Sequence, residues 1–184
     1  MRDKIVRVFT VFTLALAIVA QVPQSMLADY FVPSAMAAPE REKSVGASGL
    51  DLPRWVALHS DKVHMRTGPG TQYPIDWVYY RQSLPMEVID EHGPWRKVRD
   101  SDGTVGWIHR QLLIGPRYAM IRGKTRILYA EKDLSSARLV TAEPGVTGRL
   151  LACEDIWCQL AIANREGWIE RRHLWGVYKN EVFD

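Results

Sequence analysis

An all-β fold of two small barrels in tandem follows from three features of the sequence. Short runs rich in Val, Ile, Trp and Tyr recur with no helical period ten residues long, and turn-forming Gly, Pro and Asp separate them. The last third of the chain then repeats the outline of the middle third. The 184 residues are 47% hydrophobic and 24% charged, a globular composition with room for two small domains. The formal charge of +3 comes with intermixed signs and no basic run, so no nucleic-acid partner is expected.

The chain opens as an export signal. Arg2, Lys4 and Arg7 form a basic start, residues 8–20 an apolar run, and Ala35-Met36-Ala37 a small-residue cleavage site. That run is shorter than the roughly twenty residues of a spanning helix, which favours cleavage. The long gap between run and site leaves a cut near Ala20, or retention as a membrane anchor, open. Losing Arg2, Lys4, Arg7, Asp3 and Asp29 with residues 1–37 leaves a charge of about +2. The expected organisation is a signal peptide or N-terminal anchor over 1–37 and a flexible linker over 38–53, which is polar, small and aperiodic. A first barrel over 54–115, a second over 116–178 and a C-terminal tail over 179–184 complete it.

In the first unit the strand-like runs are 55–58, 62–66, 75–81, 86–91, 95–100 and 104–109. Gly-Pro-Gly, Ser-Leu-Pro, His-Gly-Pro and Asp-Gly lie between them as turn formers. A shift of 62 residues with no gap sets Met65 on Ile127, Val78 on Val140, Val88 on Leu150, Trp95 on Trp157 and Val98 on Leu160. One residue is then lost in a turn, and Gly106-Trp107-Ile108 falls on Gly167-Trp168-Ile169. The spacing Trp95-x-x-Val98 breaks strict alternation, so either a bulge turns the strand or the Trp covers the barrel from outside. Barrels of about sixty residues lie near the lower limit of independent stability and call for a staple.

Cys153 and Cys158 supply one. With the hairpin turning at Asp155-Ile156, Glu154 faces Trp157 and Cys153 faces Cys158, within disulfide range, and export provides the oxidising compartment. Two Cys with no neighbouring His are too few for zinc, and no CxxC is present. The same slot in the first unit holds Glu91 and Arg96, expected to form an ion pair, which is worth some tenths of a kcal/mol when exposed.

Residues Arg66-x-Gly68-Pro69-Gly70-Thr71-x-Tyr73-Pro74, Leu84-Pro85-x-Glu87-Val88, Trp95-x-x-Val98 and Asp102-Gly103-x-x-Gly106-Trp107-Ile108 resemble a bacterial SH3-like domain, of the group found as tandem copies in exported proteins of Gram-negative bacteria. The second unit is similar only through Trp157-Cys158-x-Leu160 and Gly167-Trp168-Ile169. The resemblance implies an SH3-like barrel of about five to seven strands, no enzymatic activity and a role in binding cell-wall peptides or other envelope components.

Candidate binding residues cluster in the first barrel. Gly68-Pro69-Gly70 lacks the context of a phosphate loop and reads as a rigid turn, from whose rim Arg66, Thr71 and Tyr73 either present side chains to a ligand or simply brace the turn. Along 75–81, alternation puts Ile75, Trp77 and Tyr79 on one face and Asp76, Val78 and Tyr80 on the other, so one face leaves aromatic rings outside the core, to stack on a ligand or to cover a neighbour. In the 62-residue register Arg66 falls on Leu128, Trp77 on Leu139 and Tyr79 on Thr141, which places the ligand site in the first barrel alone. Trp107 and Trp168 read as core or barrel-closing residues.

No catalytic set, metal set or cofactor motif is legible. The five His lack metal spacing, Asp100 and Asp102 have no paired base, and GxSxG is absent. The expectation is a periplasmic, non-catalytic module whose partner is peptidoglycan, a cell-wall peptide or an envelope protein. It meets the membrane only if the N-terminal segment is retained.

Overall fold

The computed structural model describes residues 43–184. The expected export segment lies outside the described residues. Among them sixteen strands form two seven-stranded antiparallel sheets and one two-stranded hairpin, with 3-10 turns at Arg110–Leu112 and Arg171–His173. The fold class read from the sequence is the fold observed.

The first sheet orders β5(Ile75–Tyr79), β4(Val63–Arg66), β8(Val105–His109), β7(Trp95–Arg99), β6(Pro85–His92), β3(Arg54–Leu58) and β9(Leu113–Ile114). The second repeats this order with β12(Arg138–Ala142), β11(Arg126–Tyr129), β15(Arg165–Glu170), β14(Trp157–Ile162), β13(Thr147–Glu154), β10(Tyr118–Ile121) and β16(Leu174–Trp175). Period-2 alternation builds a separate core in each. Val63, Met65, Met86, Val88, Val98 and Ile108 fill the first, and Ile121, Leu128, Leu150, Leu160 and Ile169 the second.

The repeat is real, but its register differs from the gap-free 62. Val63 pairs Tyr79 as Arg126 pairs Ala142, a shift of one further residue, and the bulges at Met65/Arg66 and Leu128/Tyr129 agree. Met65 therefore corresponds to Leu128, Arg66 to Tyr129, Trp77 to Val140 and Tyr79 to Ala142. The turn after β12 is one residue shorter than the turn after β5, which restores the shift of 62 in the β6–β7 and β13–β14 hairpins. Sequence alternation could not see the slip because the loop absorbs it.

In both long hairpins a bulge leaves Ile89 and Leu151 unpaired on the first strand. Trp95 lies on the face opposite the core residue Val98, so it covers the barrel from outside while remaining buried, as does Trp157. Gly106 and Ile108 point inward: a Cβ at Gly106 would stand 2.6 Å from Met65 Cγ, and one at Gly167 would stand 2.8 Å from Leu128 Cβ. This close approach turns Trp107 and Trp168 to the outer face, half exposed beneath Lys97 and Lys132, correcting the core assignment. Their backbones do join β4 to β8 and β11 to β15.

At the hairpin corners Cys153 is bonded to Cys158 with their Cα atoms 4.1 Å apart, and Glu91 pairs Arg96 in the same slot. The charged corner is buried rather than exposed. Glu91 accepts from Arg54 Nη2 at 2.5 Å, Ser48 N at 2.6 Å and Ser48 Oγ at 2.8 Å, with Arg96 Nε at 3.2 Å. Ser48 belongs to the expected linker, whose described part is held rather than free. β1(Ser44–Val45) pairs β2(Asp51–Leu52), and Leu52 enters the first core. The expected tail is also held, since Phe183 exchanges backbone hydrogen bonds with Cys153 and Glu181 pairs Arg117.

The two barrels meet through aromatic rings. Trp55 lies edge-on to Trp175 at 4.8 Å and against Tyr178 at 5.3 Å, and the Trp175 indole donates to Pro85 O at 3.0 Å.

Candidate functional site

The outward residues of β4 and β8 share a face with Trp95. Val63 and Met65 alternate inward on β4, so His64 and Arg66 project outward. On β8, Trp107 and His109 do the same. The loop after β4 and the 3-10 turn after β8 rise on either side. Together His64, Arg66, Thr71, Trp95, His109, Gln111 and Leu112 line a groove of about 370 Å³.

Its floor and walls are fixed. The Trp95 ring meets the His109 imidazole edge-on at 5.3 Å. Gln111 N donates to His109 Nδ1 at 3.4 Å, which leaves Nε2 as the imidazole's remaining polar edge. Arg66 Nη1 donates to Thr71 O at 3.1 Å and Tyr73 O at 2.7 Å, so the arginine clasps its own loop through one nitrogen. Thr67 N donates to Pro74 O and Gly70 N to Gly68 O, closing the Gly68-Pro69-Gly70 turn. Any Cβ at Gly68 would strike the Tyr73 ring lying over it. Arg66 thus braces the loop that carries the Gly68-Pro69-Gly70 turn.

Of the other sequence candidates, Thr71 lines the groove, whereas Tyr73, 40% exposed, and Trp77, 53% exposed, stand outside it along the β5 edge. Tyr79 is buried, and its hydroxyl donates to Asp100 Oδ2 at 2.8 Å. Burial and the Asp100 carboxylate push its phenol well above the ordinary tyrosine range. It is a core brace rather than a surface ring, because β5 turns from the exposed edge into the barrel between Trp77 and Tyr79.

His64, His109 and Gln111 were missed. Each is unremarkable alone, and only the pairing of β4 with β8 brings them together. The legible signal was shared parity, since His64 and Arg66 alternate outward together, as His109 does after Gly106 and Ile108.

The second barrel has a groove at the matching place, of about 220 Å³. There Ile127, Tyr129, Leu134, Glu170, Arg172 and His173 stand for His64, Arg66, Thr71, His109, Gln111 and Leu112. Tyr129 meets Trp157 edge-on at 6.4 Å, and Glu170 is held by Arg172 at 2.8 Å and His173 at 3.1 Å. Burial works against charge on Glu170, but Arg172 and His173 hold its carboxyl below the ordinary range. One groove thus offers a cation, two imidazoles and an amide with no acid in its lining, while its counterpart combines Ile127, Tyr129 and Leu134 with Glu170, Arg172, His173 and Arg126.

These features define a tandem β-barrel protein with one polar, aromatic-floored groove. The bacterial SH3 domain family matches residues 59–115 and 123–176, and the chain belongs to that family. No curated protein matches it. Solved structures similar to it include NlpC2 from Trichomonas vaginalis, at 12% identity and TM-score 0.31, covering 67% of this chain and 48% of that one. NlpC1 from the same organism matches at 11% identity and TM-score 0.33, over 75% and 47%. An NlpC/P60 family protein from Bacillus cereus ATCC 10987 matches at 13% identity and TM-score 0.30, over 66% and 55%. The matched region is about half the length of each of those proteins.

Proposed function

We propose that this protein is an exported, non-catalytic binding module that holds a short cell-wall peptide in the groove of its first barrel. The observation that carries the reading is the convergence of Arg66, His64, His109 and Gln111 over the Trp95 ring. An aromatic floor with a few fixed polar groups is the usual make-up of a small-ligand site. Membership of the bacterial SH3 family supports a binding role in the cell envelope. The Cys153–Cys158 bond supports an oxidising compartment such as the periplasm. Both cysteines are consumed in that bond, and the groove's Arg66 and His109 are tied to their own backbone, which suits a receptor better than a reacting site.

Retention on purified cell-wall sacculi tests this. Wild-type protein is expected to be retained, and His64→Ala combined with Gln111→Ala to lose most of that retention at unchanged melting temperature. Retention unaffected by the pair would move the site elsewhere. A second reading rests on β5, an edge strand carrying Ile75 and Trp77, both exposed, which suits a protein partner in the envelope. It predicts no retention on sacculi and loss of one co-purifying protein on Trp77→Ala.

A further inference from the structure

A larger cavity, of about 720 Å³, lies on the second barrel where its last segment crosses the 3-10 turn Arg171–His173. Arg171 lines it, only 7% exposed. Its Nη1 donates to Tyr178 O at 3.2 Å and Lys179 O at 2.7 Å, while its Nε and Nη2 are buried with no acceptor among the described residues. A buried guanidinium with two idle donors is costly unless something accepts from it. Of the nearby acids, Glu181 pairs Arg117 and Glu170 pairs Arg172 and His173, while Asp155 also lines the cavity, beside Ile156 at the hairpin tip. In the first barrel the equivalent residue, Arg110, is exposed. Around Arg171 the walls are Ile156, which is 61% exposed at the hairpin tip, with Leu174 and Val177. Arg172 and Lys179 also line it.

We propose that this cavity is a second binding site, independent of the groove in the first barrel, for the free C-terminal carboxylate of a peptide ending in an apolar residue. The carboxylate accepts from Arg171, as guanidinium donors favour. The terminal side chain lies against Ile156, Leu174 and Val177.

The test follows the Arg171 Nε–Hε resonance in ¹H–¹⁵N spectra of the full chain during titration with N-acetyl-Ala-Leu, with its C-terminal amide and with sodium phosphate. The free acid is expected to give a saturable shift, and the amide to bind at least about tenfold more weakly, the cost of one charge-assisted interaction. Ile156→Ser, at an exposed turn that tolerates change, is expected to weaken the free acid by about tenfold as well. His64→Ala with Gln111→Ala should leave the titration unaltered. Equal binding of acid and amide, a response to phosphate but not to the peptide, an unmoved Arg171 signal, or indifference to Ile156→Ser would each overturn the proposal.

Discussion

Glu91 holds two arginines and both polar groups of Ser48. Burial alone would raise its carboxyl, but the Ser48 hydroxyl and amide and the Arg54 guanidinium hold it below the ordinary value of about 4.5. A carboxyl whose folded value is depressed contributes stability in full above the unfolded value and loses it as pH falls through the folded one. Melting temperature in wild-type protein should thus decline below about pH 4.5. Glu91→Gln should flatten part of that decline. Glu91→Ala strands two cations and is expected to cost about 3 kcal/mol in urea unfolding. Tyr79→Phe should cost only about 1 kcal/mol, the net worth of its bond to Asp100.

At the scale of the element, the hairpin corner is the most legible part of the molecule. A two-residue turn at Asp155-Ile156 fixes which residues face each other, so Cys153 opposite Cys158 and Glu91 opposite Arg96 could be read directly. Replacing both cysteines by Ser should cost about 2 kcal/mol, as closure of so short a loop implies, and calorimetry of the two forms measures it. What alternation could not supply was whether neighbours bury a pair. Ser48 and Arg54 reach Glu91 from a segment whose composition reads as a linker, and that contact turns an exposed pair into a buried one. The same limit affects strands: a residue lost in the turn after β12 is invisible to periodicity, and with it the true partners of Arg66 and Trp77. Alternation sets Tyr79 on the face of Trp77 but does not give where the strand leaves the edge, so the burial of one and the exposure of the other are not legible in it.

Across the whole molecule, two equivalent barrels carry grooves with different linings, and only the second includes an acid. His64, Arg66 and His109 in one are replaced by Ile127, Tyr129 and Glu170 in the other, with the outer Trp95 and Trp157 in common. Once β4 and β8 are seen to pair, the difference in lining between the barrels rests on His64, Arg66 and His109 rather than on Trp77 and Tyr79. The barrels are joined by Trp55, Trp175 and Tyr178. Trp175→Ala removes that contact and the bond to Pro85, and is expected to cost roughly 2 to 3 kcal/mol. Calorimetry should then resolve two transitions, where wild-type protein is expected to give one.

The groove in the first barrel is tested most directly by following the imidazole Cε1–Hε1 signals of His64 and His109 while soluble cell-wall fragments are added. Both signals should move together and saturate along one binding curve. If the fragments bind while both signals stay in place, the groove is not the site.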